Sequence, residues 1–253
     1  MNDLVSIITP SYNSKKYIKE TIDSVKQQIY KNWEMIIVDD CSPDNSNFII
    51  EKYSKKDSRI KLIKLEKNSG PAIARNRAIE AAKGRFIAFL DADDLWAPEK
   101  LEKHIAFMCK NNCALTYSYY DIIDENNNPL DHVIKPPLQL TYKDLLKTNY
   151  IGCLTAVYDT KIVGKVYMPL IRKRQDYGLW LKILKQIPYA YGIPEVLASY
   201  RLRKNSISSN KMNLLKYNYN LFREHEGFSP IKACYYVAWN IIFKLLEKKS
   251  SKL

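Results

Sequence analysis

Residues 4–13 read LVSIITPSYN, and this stretch opens the pattern that decides the fold. Leu4–Thr9 is a short apolar run rich in β-branched residues, which predicts a buried strand. Ser14 follows as a candidate N-cap, and apolar residues then recur at helical spacing from Ile18 to Ile29. A buried strand followed directly by an amphipathic helix is the first unit of an α/β arrangement.

The same unit repeats along the first half of the chain. Further strands are predicted where apolar runs recur, at Met35–Val38, Ile60–Leu65, Phe86–Leu90 and Ala114–Tyr120. Helices are predicted between them, one opened by Asp44 or Ser46 and two at Pro71–Lys83 and Pro98–Asn111. This alternation predicts an α/β fold with a Rossmann-like, mostly parallel sheet and helices on both faces. Beyond residue 121 we expect helices at 142–147 and 176–187, a strand at 196–202 and a helical segment from 212.

Composition limits the class of protein. The chain has 253 residues, a net charge of +13 and 46% hydrophobic residues, which excludes disordered and fibrous proteins. Its seven glycines are never closer than 12 residues, so neither glycine-rich phosphate motif can be present. Five scattered cysteines without zinc-finger spacing predict reduced thiols. We see no signal peptide, and no apolar run approaches the ~20 residues that span a bilayer.

Polar clusters follow three of the predicted strands. They read TPSYN at 9–13, DDCS at 39–42 and DADD at 91–94. Each cluster alone is also typical of a turn or a helix cap. Three of them at one sheet edge instead predict a ligand site, because open parallel sheets bind ligands beyond the carboxyl ends of their strands. Five carboxylates there need a counter-charge, and hard oxygen ligands favour Mg²⁺ or Mn²⁺. Without glycine loops, we expect metal and arginine side chains to hold a diphosphate.

The motifs in combination resemble a known family. IITPSYN at 7–13, IIVDDCS at 36–42, GPAIARN at 70–76 and FLDADD at 89–94 match the patterns of family 2 glycosyltransferases. QDYGLWL at 175–181 and YRLRKNSIS at 200–208 resemble two later segments of that family. The resemblance covers about residues 3–210 and implies the GT-A fold, with a nucleotide-binding half at 1–95 and an acceptor half at 96–210. Residues 211–253 are then a basic, aromatic helical tail.

For the donor, the resemblance assigns a nucleotide-sugar site. Pro10, Tyr12 and Asn13 would line the nucleotide pocket. Asp39 or Asp40 would read the base, and Arg75 would support it. Asp91 would lie near the ribose, and Arg201 and Arg203 would contact phosphate.

For catalysis, the resemblance implies an inverting transfer from a nucleotide-diphosphate sugar to an acceptor hydroxyl, with UDP-sugars as the commonest donors. Asp93 would ligate Mn²⁺ or Mg²⁺ on the donor diphosphate. Asp176 would be the catalytic base, although a helix N-cap is the simpler interpretation of that residue alone. Two positions depart from the family pattern, since Gln175 replaces a Glu and Arg203 replaces a His. Whether Arg203 replaces a metal-binding or a phosphate-binding His stays open.

The tail indicates where the protein acts. Residues 211–253 carry a net charge of +5 interleaved with aromatic side chains, a combination typical of a membrane interface. The alternative is a helix packed on the domain with a solvated lysine face. No nucleic-acid motif is present, so we expect no nucleic-acid partner. We therefore expect a cytoplasmic protein, peripheral on the inner face of the cytoplasmic membrane, acting on a saccharide or lipid-linked saccharide in lipopolysaccharide, O-antigen or capsule synthesis.

Two other functions remain open from the sequence. A sugar-phosphate nucleotidyltransferase could share the sheet and the carboxylates, but it would be expected to carry a glycine-rich loop after the first strand, where this chain has SYNSKK at 11–16. A non-catalytic, membrane-associated binding module could retain the same fold. Asp91, Asp93 and Asp176 argue against that module.

Overall fold

The structure is a computed structural model that describes residues 3–203 and 211–250, with the backbone alone for residues 211–214 and 244–250. Its strands are β1 (Val5–Ser11), β2 (Trp33–Asp39), β3 (Ile60–Lys64), β4 (Phe86–Phe89), β5 (Leu95–Trp96), β6 (Leu115–Ile123), β7 (Pro129–Ile134), β8 (Gln139–Leu140), β9 (Val157–Asp159) and β10 (Ala190–Arg201). Its helices are α1 (Ile18–Lys26), α2 (Ser46–Ser54), α3 (Pro71–Ala81), α4 (Lys100–Asn111), α5 (Tyr142–Lys147), α6 (Thr160–Val163), α7 (Gln175–Leu184), α8 (Lys211–Asn220) and α9 (Pro230–Ser250).

The first half of the chain forms the predicted parallel sheet. Strands β3, β2, β1 and β4 lie side by side in that order and pair in parallel. All seven residues of β2 are buried, as a central strand requires, whereas β3 lies at the edge and is mostly half-buried. Ser14 does not cap α1. Its Oγ instead pairs with Ser11 Oγ at 2.7 Å, and α1 begins at Ile18.

The second half extends the sheet with strands of mixed direction. Strand β9 is antiparallel to both β4 and β6, and β10 runs parallel to β6. Strand β10 begins six residues before the predicted strand at 196–202, because a bulge between Ile193 and Val196 lets the strand continue past Pro194. Strand β7 forms a hairpin with β6, while β5 and β8 each pair with β10. The result is a mostly parallel mixed sheet with helices on both faces.

The core has two layers, one on each face of the sheet. Alternate residues of β1 divide between them, so Ile8 belongs to one cluster and Ile7 to the other. The larger layer contains Trp180 of α7, fully buried and edge-on to Phe89 at 5.5 Å between ring centroids. The smaller layer contains Trp33 at the start of β2.

The C-terminal helices pack against the larger core layer and α5. Leu221 and Phe222, in a π-helical turn after α8, belong to the larger core layer, as does Ala233 of α9. Asn240 of α9 donates hydrogen bonds from Nδ2 to the carbonyls of Leu146 and Lys147 (3.3 and 2.8 Å) at the end of α5. The predicted boundary at residue 210 adjoins residues 204–210, which lie outside the described residues, and it stays a prediction.

None of the helices described in residues 3–203 and 211–250 combines the length and apolarity that crossing a bilayer requires.

Candidate active site

The ends of β1 and β2 meet at the carboxyl edge of the sheet. Ser11 is the register partner of Asp39, and the N–H of Asp40 donates to the Ser11 carbonyl at 2.8 Å. The N–H of Asn13, which has a left-handed φ of 50°, donates to Ser42 Oγ at 3.2 Å. Pro10 is half-buried in β1, and Tyr12 is 48% exposed. The structure therefore brings the predicted nucleotide-binding residues of these two strands together.

Asp39 and Asp40 are both buried, but their oxygens are used differently. Asp39 Oδ2 accepts from the Ser42 N–H at 3.1 Å, while Asp39 Oδ1 is buried and has no protein partner. Asp40 accepts from the N–H groups of Ser69 (2.6 Å) and Gly70 (2.8 Å). Gly70 has a φ of +90°, which favours glycine, and Pro71 opens α3 directly after it. Asp40 thus positions α3, and Asp39 keeps an open acceptor atom.

Arg75 joins the end of β4 to the start of α7. Its Nη2 lies 2.5 Å from Asp91 Oδ1, and its Nη1 donates to Gln175 Oε1 at 3.0 Å. The side chain is nearly buried; burial alone would lower its pKa, but the negative charges of Asp91 and Asp176 outweigh burial and raise it. Arg75 is therefore a fixed cation between two predicted site carboxylates.

Asp93 and Asp94, after the end of β4, face different partners. Asp93 Oδ2 lies 2.7 Å from Arg203 Nε, in an ion pair whose angle is not that of a hydrogen bond. Burial raises the pKa of Asp93, although Arg203 opposes the shift. Asp94 Oδ1 accepts from the Arg201 N–H at 2.9 Å, and burial, reinforced by Asp93 and Asp91, raises the pKa of Asp94 well above its ordinary value.

The Arg201 side chain is turned into the protein. Its Nε donates to the Asp93 carbonyl at 2.7 Å, Nη1 to Asn127 Oδ1 at 2.5 Å and Nη2 to Glu20 Oε2 at 2.8 Å. The guanidinium also lies 4.7 Å from the centre of the Tyr17 ring. All its nitrogens are engaged and the side chain has no exposed surface, so Arg201 joins β10 to the end of β4. The geometry gives no support for the predicted contact of Arg201 with phosphate. Arg203 is the arginine that lies at the carboxyl edge of the sheet.

Asp176 lies in the first turn of α7 and is half-buried. Asn149 Nδ2 donates to its Oδ2 at 3.4 Å, a contact that no sequence signal predicted. The preceding Gln175 is buried, and its Nε2 donates to the carbonyls of Ile171 and Arg172, both at 2.9 Å. Because its Oε1 also accepts from Arg75, Gln175 joins the Asp91 side of the site to the helix that carries Asp176.

The residues at this edge fit a divalent ion bound through Asp93. Among the described residues, no group of three or more His, Cys, Asp or Glu side chains gathers into a metal site. Mg²⁺ and Mn²⁺ do not need one where substrate phosphates supply the remaining oxygens. Arg203 Nε lies 2.7 Å from only one of the two Asp93 oxygens, and a carboxylate oxygen is the hard ligand that these ions prefer.

Comparison with known proteins identifies the class. The family model described as "Glycosyl transferase family 2" matches residues 6–164, and the chain belongs to this family of glycosyltransferases. The chain is thus an enzyme of the glycosyltransferase class with the GT-A fold.

Particular relatives cover nearly the whole chain. It is 49% identical to TuaG of Bacillus subtilis (strain 168), named as a teichuronic acid biosynthesis glycosyltransferase, over 91% of each chain. It is 44% identical to the Escherichia coli "UDP-Glc:alpha-D-GlcNAc-diphosphoundecaprenol beta-1,3-glucosyltransferase WfgD", over 92% of this chain and 90% of WfgD.

Solved structures share the fold. Residues 1–349 of S. aureus TarS, in complex with UDP-GlcNAc, superpose with a TM-score of 0.73 at 25% identity over 87% of this chain and 66% of that TarS chain. The mannosyltransferase PcManGT of Pyrobaculum calidifontis, in complex with GDP-Man and Mn²⁺, gives 0.71 at 19% identity over 94% and 70% of the two chains. At that identity PcManGT supports the fold alone.

Proposed function

We propose that this enzyme is an inverting, metal-dependent glycosyltransferase that moves a sugar from a UDP-sugar to a hydroxyl of a lipid-linked saccharide. One observation carries the proposal. The carboxyl edge of the sheet gathers an open Asp39 oxygen, two arginine-paired carboxylates (Asp91 and Asp93) and the half-buried Asp176. The UDP-GlcNAc complex of TarS and the UDP-Glc donor in the name of WfgD support the choice of donor.

The mechanism assigns the two faces of the sugar to different residues. Asp176 accepts the proton of the acceptor hydroxyl as general base, and Asn149 holds its Oδ2. Arg75 and Arg203 stabilise the negative charge that develops on the leaving diphosphate. A divalent ion held by Asp93 would supply further positive charge at the same oxygens. One in-line displacement then inverts the anomeric centre.

The donor and the metal can be tested together. Melting temperature is measured with UDP-, GDP- and dTDP-sugars, each with Mn²⁺, Mg²⁺ or EDTA, because a ligand that binds the native state raises its stability. We expect the largest rise with a UDP-sugar and a divalent ion, and its loss in EDTA. If no nucleotide sugar shifts the melting temperature, the chain would instead be a binding module of the same fold.

The base assignment has its own test. Asp176→Asn removes the proton acceptor with little change in shape, so we expect the rate of transfer to fall at least ~100-fold. The melting-temperature rise with the donor should remain, because Asp176 acts on the acceptor. A variant that turns over at the normal rate would show that another group is the base.

A membrane surface is the setting we propose, in the synthesis of a bacterial surface polysaccharide. Ile231, Tyr235 and Ile242 lie along one face of α9 and are 84%, 56% and 44% exposed. Lys232 of the same helix is also exposed, which suits an anionic interface.

Vesicle binding tests this setting. Changing all three of these residues to Gln should abolish sedimentation with anionic phosphatidylglycerol vesicles, and added salt should weaken the wild-type binding. The matched control changes the exposed Ile29 and Phe48, which lie far along the chain, to Gln. Equal binding by the α9 variant and the wild type would remove α9 as the contact.

A further inference from the structure

A run of three basic residues ends two residues before the proposed base, Asp176. Between Asp159 and Asp176 the chain has no acidic residue and five basic ones, at 161, 165, 172, 173 and 174. We call Arg172–Arg174 the basic turn. In the part of the chain that the structure describes, none of its three side chains forms an ion pair with a carboxylate. The one contact found is Lys173 Nζ, 5.8 Å from the centre of the Tyr217 ring. The basic turn therefore carries positive charge that the described protein does not neutralise.

The backbone of the basic turn is fixed. Gln175 Nε2 donates to the carbonyls of Ile171 and Arg172, which anchors the turn from the inside. Arg174 has a φ of 69°, a left-handed conformation that costs free energy in a residue other than glycine and is found where the surroundings impose it. Because the backbone is held in this way, the loop is preformed, with Arg172 exposed and Lys173 and Arg174 partly exposed.

One donor of the basic turn is buried without a partner. Arg174 Nε has almost no exposed surface and makes no hydrogen bond to the described protein. A buried donor without an acceptor costs about 1–3 kcal/mol, a cost that is recovered when the Arg174 side chain turns outward to an anionic oxygen bound at the turn. A guanidinium offers parallel N–H groups that match phosphate oxygens. Charge, a fixed backbone and an open donor together point to a phosphate site.

The position of the turn favours the acceptor over the donor. In an in-line displacement the nucleophile and the leaving group lie on opposite faces of the sugar, and Asp176 contacts the nucleophile. The basic turn lies two to four residues before Asp176, whereas Arg75 and Arg203 pair with Asp91 and Asp93 on the donor side. Leu170 and Tyr167, on the same segment, are 69% and 42% exposed. Positive charge beside exposed apolar side chains suits a phosphate attached to an alkyl chain.

We propose that Arg172, Lys173 and Arg174 bind the diphosphate that joins the acceptor sugar to its lipid carrier. This inference rests on the proposed function, because Asp176 must act on the acceptor. The binding places one end of the acceptor sugar at the turn and its free hydroxyl at Asp176, so the turn positions the acceptor. The carrier in the name of WfgD, a diphosphoundecaprenol, has this chemistry.

The test compares two acceptors that differ in one linkage. Both carry N-acetylglucosamine and the same undecyl chain, joined by a diphosphate in one and by a glycosidic oxygen in the other. In the double variant Arg172→Ala/Lys173→Ala, we expect KM for the diphosphate acceptor to rise about 10–100-fold, since two charge-assisted contacts are lost. KM for the neutral glycoside and for the UDP-sugar should stay within about twofold of wild type. Arg172→Lys/Lys173→Arg, which keeps both charges, should restore most of the loss.

A matched control removes the same charge elsewhere on the segment. Lys161→Ala/Lys165→Ala changes two exposed lysines that follow β9, whose Asp159 pairs with Phe86 at the opposite end of β4 from the site. We expect this variant to behave as wild type with both acceptors.

Binding without turnover separates the two proposals. Calorimetry with undecyl diphosphate, and separately with UDP, should show that the Arg172/Lys173 variant weakens only the alkyl diphosphate. If undecyl diphosphate binds the variant and the wild type equally, the inference is overturned. Equal weakening of UDP would move the turn to the donor side and also overturn it. If the wild type binds undecyl diphosphate through the turn but transfers to neither acceptor, the proposed function fails while the phosphate site stands.

Discussion

The carboxylates that follow β2 and those that follow β4 lie on one edge of the sheet but are held in different ways. Asp39 and Asp40 accept hydrogen bonds from backbone N–H groups of residues 42, 69 and 70. Asp91 and Asp93 instead pair with the side chains of Arg75 and Arg203. Backbone donors belong to fixed loops, whereas an arginine can exchange one anionic partner for another. The β2 pair therefore builds the site, and the β4 pair carries charge that a diphosphate can engage.

Neutralising one carboxylate of each pair tests this difference between backbone-bonded and arginine-paired carboxylates. In Asp40→Asn, one of the two N–H donors faces an amide nitrogen, so we expect the free energy of unfolding to fall by about 2–4 kcal/mol. In Asp93→Asn, a carboxylate that burial disfavours is lost, so the free energy of unfolding should change by less than about 1 kcal/mol. Urea denaturation measures both.

Donor binding by the same two variants is measured as the rise in melting temperature. Asp93→Asn should lose the melting-temperature rise with UDP-sugar and Mn²⁺, whereas folded Asp40→Asn should retain part of it. If the two variants are equally stable, the distinction between the carboxylates at the end of β2 and those after β4 is wrong.

The next prediction concerns packing around α7, the helix of the proposed base. A Cβ on Gly178 would lie 2.5 Å from Pro169 Cγ and 3.0 Å from Leu221 Cδ1. Gly178→Ala should therefore destabilise the protein by about 1–3 kcal/mol through overpacking. Where space is available, the same change in a helix stabilises by up to about 1 kcal/mol. The sign of the change in urea midpoint thus decides whether Pro169 and Leu221 pack tightly on α7.

Gln175 contacts both backbone groups and an arginine, so a change there tests both kinds of contact at once. Its amide nitrogen donates to two backbone carbonyls, and its oxygen accepts from Arg75. In Gln175→Glu an ionised carboxylate would face the carbonyls of Ile171 and Arg172 and would add a second negative charge beside Arg75. We expect kcat to fall about tenfold with little change in KM for the donor.

The pH profile separates this effect from a simple loss of shape. Once protonated, the introduced carboxyl group could again donate one hydrogen bond, so kcat of Gln175→Glu relative to wild type should recover as pH falls. Gln175→Met, which has no donor or charge, should show no such recovery. Parallel profiles for all three enzymes would contradict the assigned role of the amide.

The sequence predicted strands β1, β2 and β4 well because they are buried almost throughout. Each contains a short apolar run, and such a run can be recognised without knowing its partner strand. Strands β5, β8 and β9 have two or three residues each, too few to show a period, and their pairing is set by distant parts of the chain.

The candidate site divides in the same way, into residues predicted from local sequence and contacts set by distant parts of the chain. Motifs predicted Asp39, Asp91, Asp93 and Asp176 as site residues, because each lies within three residues of a predicted strand or helix end. The orientation of Arg201 could not be predicted, since its partner Glu20 lies 181 residues away along the chain. The Asn149 contact with Asp176 and the Gln175 contact with Arg75 also depend on tertiary packing.

The smallest predicted effect concerns Lys100, an ionisable side chain that is buried without a carboxylate partner among the described residues. Lys100 Nζ is fully buried, donates to the Thr155 carbonyl at 2.8 Å and lies 3.2 Å from His104 Nε2. Burial lowers the pKa of Lys100 well below its ordinary value of 10.5. The unfolded chain therefore binds this proton more tightly, and the free energy of unfolding should fall as pH drops below 10.5. Below the lowered folded pKa, this dependence ends.

Lys100→Met removes the contribution of Lys100 to the pH dependence of the free energy of unfolding. Between about pH 7 and pH 10, burial keeps His104 neutral in the folded protein by lowering its pKa from 6.5. Its titration in the unfolded chain is the same for variant and wild type, so the difference between them reports Lys100. The lost bond to Thr155 offsets the relief from burying an amine, and the two proteins should differ by about 1 kcal/mol or less at pH 10. As pH falls, the difference should move in favour of Lys100→Met, measured by urea denaturation at each pH. A difference that stays constant from about pH 10 to pH 7 would show that Lys100 is as easily protonated in the folded protein as in the unfolded chain.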